Sequence, residues 1–384
     1  MDSISFTLYA SAEALPSDWD DCTGGNIFLS RSYLSVLDQS GPDNMDCRFI
    51  GFFDGPRLCG VLLSQFLDLN RLESFGERDN CMKTTVRNFV FRKFASHVLF
   101  IGNNMLTGQN AFYFQPDIQP DRYLPAIGDA IQSLQTYYRS QKRRVHITSI
   151  KDFLPGQLTQ LETYLPGYVR FSTQPNMVFH IPERWNSIDD YVGDLTKKYR
   201  DQFKRSHKRA DGIEKRKMKC EEIERLETEI DQLYRHVAKN APFNTFFLTK
   251  GHFADLKRRL GDRFHFYGYF LNDKLVGFNT LIRNGTAMDT YFLGYDEDIQ
   301  REKMLYLNML YDMVAYSIRK GFRAVVFART ALEIKSSVGA EPVEMLGLIR
   351  HSNPLIHRFL DRIFRLLEPK TEWQQRHPFK DSPS

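Results

Sequence analysis

Two groups of residues in the second half of the chain have the types and spacing that proton and group transfer require. Asp289, Tyr291 and Tyr295 alternate, or nearly so, along TAMDTYFLGYD, and in an extended segment alternation turns some of them toward any cleft. There a tyrosine could donate to a carbonyl or relay a proton, and an aspartate could accept one from an ammonium group. The plainer alternative is a core tyrosine with a satisfied hydroxyl and a solvent-facing aspartate. The second group is Arg329, Thr330, Glu333 and Lys335, in ART-x-x-E-x-K at the end of the apolar run RAVVF. α/β sheets place ligand-binding groups just past the ends of buried strands, whereas a surface pairing of Glu333 with Arg329 or Lys335 would contribute little.

Other chemistries find less support. The ten histidines form no H-x-x-x-H or H-E-x-x-H pair and no Ser-His-Asp signature, so no catalytic metal is expected. Cys22, Cys47, Cys59, Cys81 and Cys220 are odd in number and scattered, which suits neither a disulfide framework nor a C-x-x-C metal site. Between Lys197 and Lys219 there are eleven Lys or Arg against three acids. Such a helix could bind tRNA phosphates, the acids of a carrier protein or an anionic membrane, or it could simply be solvated. In PLIHRFLDRIFRLL, residues 354 to 367, Leu355, Phe359, Ile363 and Phe364 share a face beside Arg358, Arg362 and Arg365. Docking onto the second domain and a membrane-interface helix are its two readings.

The elements that would position the candidate residues are legible from residue 263 onward. FHFYGYFL, KLVGFNTLIRNG and TAMDTYFLGYD read as successive antiparallel strands joined at Asn272-Asp273 and Asn284-Gly285, the second a type I′ turn signal. A helix from Met304 to Lys320 follows, capped by Gly321, and then a buried strand from Arg323 to Ala328. The first half repeats this order. RFIGFFDGPRLCGVL, from residue 48, aligns without a gap with HFYGYFLNDKLVGFN, from residue 265, placing Gly51 on Gly268, Phe53 on Phe270, Leu58 on Leu275 and Gly60 on Gly277. A helix over 124–140 and a strand over 144–150 come next. One matched hairpin could be chance, but the same order twice predicts two similar halves. Their boundary falls in the Pro- and Gly-punctuated stretch 150–185, and an Arg-, Phe- and Asn-rich insertion at 66–98 interrupts the first half.

Strand, turn, strand, LGYD, a helix ending in KGF, a strand ending in ART, then ExK and GAEP resemble the GNAT-related acyltransferases. These include the Fem-type peptidoglycan aminoacyltransferases and the BioF-associated acetyltransferase-like domain. The resemblance covers residues 183 to 345, with WNSIDDYVGDLTKKYRDQFKRSHKR as the first helix. It implies a wedge between the LGYD and ART strands, where the amide of an acyl thioester pairs with exposed backbone. It also implies direct transfer to an amine, without a covalent enzyme intermediate. Relatives that bind coenzyme A hold its pyrophosphate in a Gly-rich loop before the next helix. Here that connection is DEDIQREKM, with no glycine. Coenzyme A, an acyl carrier protein and aminoacyl-tRNA therefore all stay open as donors, with Arg301 and Lys303 as candidate phosphate contacts. On these readings the candidate catalytic residues are Asp289, Tyr291 and Lys335. The donor contacts are Gly294, Tyr295, Arg301, Lys303, Arg329 and Thr330, and the acceptor contacts are Glu333, Tyr267 and Asn103. Asn103 follows the apolar strand HVLFIG, where it could line a cleft or serve a tight turn.

The totals fit this outline. A chain of 384 residues can build two cores, and 14% aromatic residues suggest aromatic-rich sheets or an apolar ligand groove. A net charge of +5 does not compel nucleic-acid binding. The absence of a secretory signal or a bilayer-length apolar stretch leads to a cytoplasmic expectation, with a peripheral membrane contact through 354–367 left open. The expected architecture is mixed α/β. Two tandem GNAT-like domains, 1–165 and 176–350, each carry a mostly antiparallel sheet flanked by helices, and an amphipathic helix and tail occupy 351–384. The expected function is N-acyl transfer from acyl-CoA or an acyl carrier protein to a small or lipid-like amine, with no tightly bound cofactor. A Fem-like aminoacyltransferase using charged tRNA and a non-catalytic binding module are the competing expectations.

Overall fold

The computed structural model describes residues 3–71, 95–240, 244–360, 362 and 373–380. Two compact units divide the chain, one of residues 1–173, 245–249 and 344–370 and the other of 174–244, 250–343 and 371–384. The first contains strands β1 (Ser5–Tyr9), β2 (Met45–Asp54), β3 (Arg57–Asp68), β4 (His97–Ile101), β5 (Phe112–Phe114), β6 (Ile147–Phe153) and β7 (Val169–Ser172). The second contains β8 (Asn176–His180), β9 (Ile213–Lys217), β10 (Phe264–Leu271), β11 (Lys274–Asn284), β12 (Ala287–Tyr295), β13 (Ala324–Ala328) and β14 (Glu341–Val343). A last strand, β15 (Leu346–His351), belongs to the first unit.

Each unit is built on one mixed sheet. The first runs β1-β2-β3-β4-β6-β15-β7 with β5 beside β3, and the second runs β14-β8-β13-β12-β11-β10-β9. Among the described residues only β4 with β6 and β12 with β13 are parallel; every other strand pairing is antiparallel. In the second unit, β8 sits between β13 and β14. In the first, β15 sits between β6 and β7. This corrects the expected 176–350 boundary, because β15 completes the first sheet. Its sequence LGLIRH is a short apolar run that carries no mark of which sheet it joins.

The internal repeat is present down to its irregularities. In the β2–β3 hairpin the register shifts between Phe52 and Phe53; in β10–β11 it shifts at the aligned positions, Tyr269 and Phe270. A Cβ on Gly51 would come within 3.0 Å of Leu58, and one on Gly268 within 3.1 Å of the aligned Leu275. The β10–β11 turn has positive φ at both Asn272 and Asp273, as a type I′ turn requires. At β11–β12 the turn differs from expectation. Asn284 pairs with Ala287, so Gly285 and Thr286 form the loop, and only Gly285 has positive φ. That is the Gly-first pattern of a type II′ turn.

The helices that matter for the site are α1 (Pro120–Ser140), α2 (Lys197–Arg209), α3 (Glu227–Asn240), α4 (His252–Leu260), α5 (Glu297–Lys303), α6 (Leu305–Arg319) and α7 (Leu332–Ser337). α1 packs Leu134 and Tyr138 against Phe66 of its sheet, and α6 packs Leu305, Met309 and Leu310 into the core of the second unit. Of the expected helix over 354–367, Pro354–His357 is helical. Ile363, Phe364 and Arg365, like Cys81 and most of the 66–98 insertion, lie outside the described residues. Among the described residues no helix is long and apolar enough to cross a membrane.

Candidate functional site

The parallel pairing of β12 with β13 covers three residue pairs and stops at Asp289 opposite Val326. Beyond it β12 continues to Tyr295, paired on its other side with β11, while its pairing with β13 has ended. A β-bulge sits in this stretch, where Tyr291 and Phe292 together oppose Thr280. The Thr280 hydroxyl donates to the Phe292 carbonyl at 2.6 Å and accepts from the Phe292 amide at 3.0 Å, which fixes the bulge.

Asp289 and Tyr291 share one face of β12. Asp289 is buried, and burial raises its carboxyl to about 7 against the opposing effect of a hydrogen bond from Asn284. The Tyr291 hydroxyl lies 3.0 Å from Nε2 of His252, the two rings stacked with centroids 5.8 Å apart. His252 opens α4 and is fully buried. Sequence reasoning missed it, since 39 positions separate it from Tyr291 and it belongs to no motif. Tyr295 is half-buried with its ring near Tyr306, and burial pushes its hydroxyl up.

Gly294 has a packing role. A Cβ there would meet Phe278 at 2.5 Å and the backbone of Leu233 and Tyr234 in α3 at 2.6 and 2.7 Å, so only glycine lets that helix approach.

The end of β13 is strained. Ala328, Thr330 and Ala331 all have positive φ, at a cost on the order of 1–3 kcal/mol each. Lys335 reaches back from α7 and donates to the carbonyls of Phe327, Ala328 and Arg329 at 2.6, 3.2 and 2.5 Å. Burial alone would carry its ammonium down to about 7. Three acceptors call for three donors, which an ammonium has and a neutral amine lacks, so these contacts favour the charged form. This geometry departs from the catalytic role expected for Lys335: every proton it carries is already engaged, and it fixes the turn. Arg329 donates from Nε to the Gln174 carbonyl at 3.2 Å, and burial lowers it to about 10. Thr330 is exposed.

Glu333 departs from its expected acceptor role. It pairs with Arg376, whose Nε is 3.0 Å away, in the terminal segment that also inserts Phe379 among Trp185, Tyr191 and Phe179.

The connection after β12 forms α5. Asp296 caps it, accepting from the amides of Asp298 and Ile299 at 3.1 and 3.2 Å. Glu297 and Asp298 add negative charge to its first turn, where a pyrophosphate would otherwise be held. Arg301 is exposed and pairs with Glu297 at 3.0 Å; Lys303 donates to the Asp211 carbonyl at 3.3 Å.

Two expected acceptor contacts are engaged within their own units. Tyr267 is buried, with the Lys215 ammonium 4.6 Å from its ring centroid. Asn103 is buried in the first unit, donating to the Tyr33 hydroxyl at 3.1 Å and accepting from the Met105 amide at 2.9 Å. Beyond the β4–β6 pairing, Lys151 donates to the Asn103 and Leu106 carbonyls at 3.2 and 3.0 Å. Burial raises the Cys47 and Cys59 thiols to about 12 and 11, far from a reactive thiolate.

Comparison with known proteins agrees with this architecture. Residues 197–336 match the acetyltransferase (GNAT) domain family. The crystal structure of FemX, 9% identical, superposes with a TM-score of 0.55 over 93% of this chain and 100% of its own. A tandem GNAT protein from the clavulanic acid biosynthesis pathway is 11% identical, with a TM-score of 0.47 over 92% of this chain and 99% of its own. No curated protein matches the sequence. The chain thus has a mixed α/β fold shared with FemX, and its residues 197–336 match the acetyltransferase (GNAT) domain family.

Proposed function

We propose that the second unit transfers an acyl group from a carrier-borne thioester to an amine, with the donor arm lying along β12 beyond the end of its pairing with β13. The observation that carries this reading is the splay of β12 from β13 after three residue pairs. A pantetheine arm bears two amides and can pair with an open edge as a surrogate strand. The acceptor enters as an ammonium and must lose a proton before its nitrogen attacks. Asp289, held near neutral by burial, is suited to take that proton. The C–N bond then forms, the C–S bond breaks, and the departing thiolate takes up the second amine proton. Tyr291, oriented by His252, donates to the oxyanion that develops on the carbonyl. Arg329 and Thr330, at the end of β13, are the donor-side contacts, and Lys335 serves by holding their turn.

The acidic cap of α5 weighs against holding a coenzyme A pyrophosphate there and favours an acyl carrier protein over free acyl-CoA. A second donor, aminoacyl-tRNA, is favoured by the exposed basic face of α2. Native mass spectrometry of the full chain with long-chain acyl-CoA, acylated carrier protein and aminoacyl-tRNA, followed by an amine-transfer assay, separates these readings. Saturable binding of a thioester, weakened at least tenfold by Arg329→Ala, supports the proposal. Binding of tRNA alone replaces the thioester, and neither binding nor transfer would leave the domain a non-catalytic module.

A further inference from the structure

The first unit holds a feature that acyl transfer does not use. A cleft of about 1010 Å³ opens between the C-terminal half of α1 and the segment that follows β15. Arg139, Lys142, Arg144 and Arg350 line it, against the single carboxylate of Asp129. None of the four cations forms an ion pair with a carboxylate among the described residues, whereas Arg57 pairs with Asp117 and Arg170 with Glu162 on the surface of the same unit. Arg350 instead lies 5.9 Å from the ring centroid of Tyr168. Four like charges around one cleft repel one another unless an anion joins them.

The rim supplies the second observation. Pro354 and His357 line the cleft, and the same short segment carries Leu355, 75% exposed, and Phe359, 54% exposed. These are the two most exposed large apolar side chains among the described residues. A soluble phosphate compound has no use for apolar side chains beside its site, whereas a lipid presents a phosphate and a hydrocarbon surface together.

We infer that this cleft receives the phosphate headgroup of an anionic lipid, with Leu355 and Phe359 entering the bilayer interface beside it. The inference is independent of whether the second unit is catalytic. Each cation facing an anionic surface contributes about fivefold in binding.

Flotation of the full chain with phosphatidylcholine vesicles, with and without phosphatidic acid, provides the test. Binding should require phosphatidic acid, fall about 25-fold in Arg139→Gln with Lys142→Gln, and fall in Leu355→Ser with Phe359→Ser. The Arg57→Gln, Arg71→Gln pair, in the same unit but outside the cleft lining, removes equal charge and should leave binding within about twofold of the parent. All these positions are exposed, so folding is not at stake. Equal binding to pure phosphatidylcholine, equal loss in the Arg57 and Arg71 pair, or no loss in either cleft or rim variants would overturn the inference. So would calorimetric binding of glycerol 3-phosphate without vesicle binding, which would assign the cleft to a soluble ligand.

Discussion

At the residue scale, Asp289 couples catalysis and stability in opposite senses. Its carboxyl is raised from an ordinary 3.8 to about 7, so between those values the folded protein holds a proton that the unfolded chain has lost. The stability this contributes is complete below the unfolded value and is lost as pH rises through about 7. Asp289→Asn keeps the shape and removes the charge. The melting temperature of this variant should exceed that of the parent at pH 8, and the advantage should vanish at pH 4, as calorimetry can show. Transfer should behave in reverse, rising through about pH 7 in the parent as the base ionises, with that limb absent in the variant. Lys335 offers a different test. Lys335→Met leaves three carbonyls beside a strained turn without a donor, and should cost on the order of 3 kcal/mol in chemical denaturation. A positioning role predicts that whatever transfer remains keeps the parent pH profile, whereas a proton-carrying role predicts a shifted one.

At the scale of elements, α3 packs against β12 at Gly294 with no room for a side chain. Gly294→Ala would drive a methyl into the backbone of Leu233 and Tyr234 and should destabilise by about 1–3 kcal/mol, read as a lower denaturation midpoint. The sequence made Gly294 look like a ligand contact because it lies in LGYD; its actual constraint is steric and comes from a helix some 60 residues earlier. The hairpins, α6 and β13 were legible because periodicity and turn residues are local signals. His252, the Lys335 contacts and the Glu333 to Arg376 pairing were not, because each depends on the chain folding back on itself. Asp289 and Tyr291 were visible as candidates only because strand alternation placed them on one face.

At the scale of the molecule, two units with the same hairpin irregularity differ where chemistry would occur. In the first, Lys151 occupies the carbonyls past the parallel pair; in the second, β12 runs on to Tyr295 after its pairing with β13 has ended. The repeat revealed the duplication but not the destination of β15, since a six-residue apolar strand fits either sheet. The central claim is that the donor arm pairs with β12 beyond Asp289. Hydrogen exchange of the full chain with saturating acyl-phosphopantetheine, the arm common to coenzyme A and carrier protein, tests it most directly. The account predicts slowed exchange within Thr290–Tyr295 and no change in the corresponding stretch after β4. Unaltered exchange across Thr290–Tyr295 while the donor is bound would contradict it.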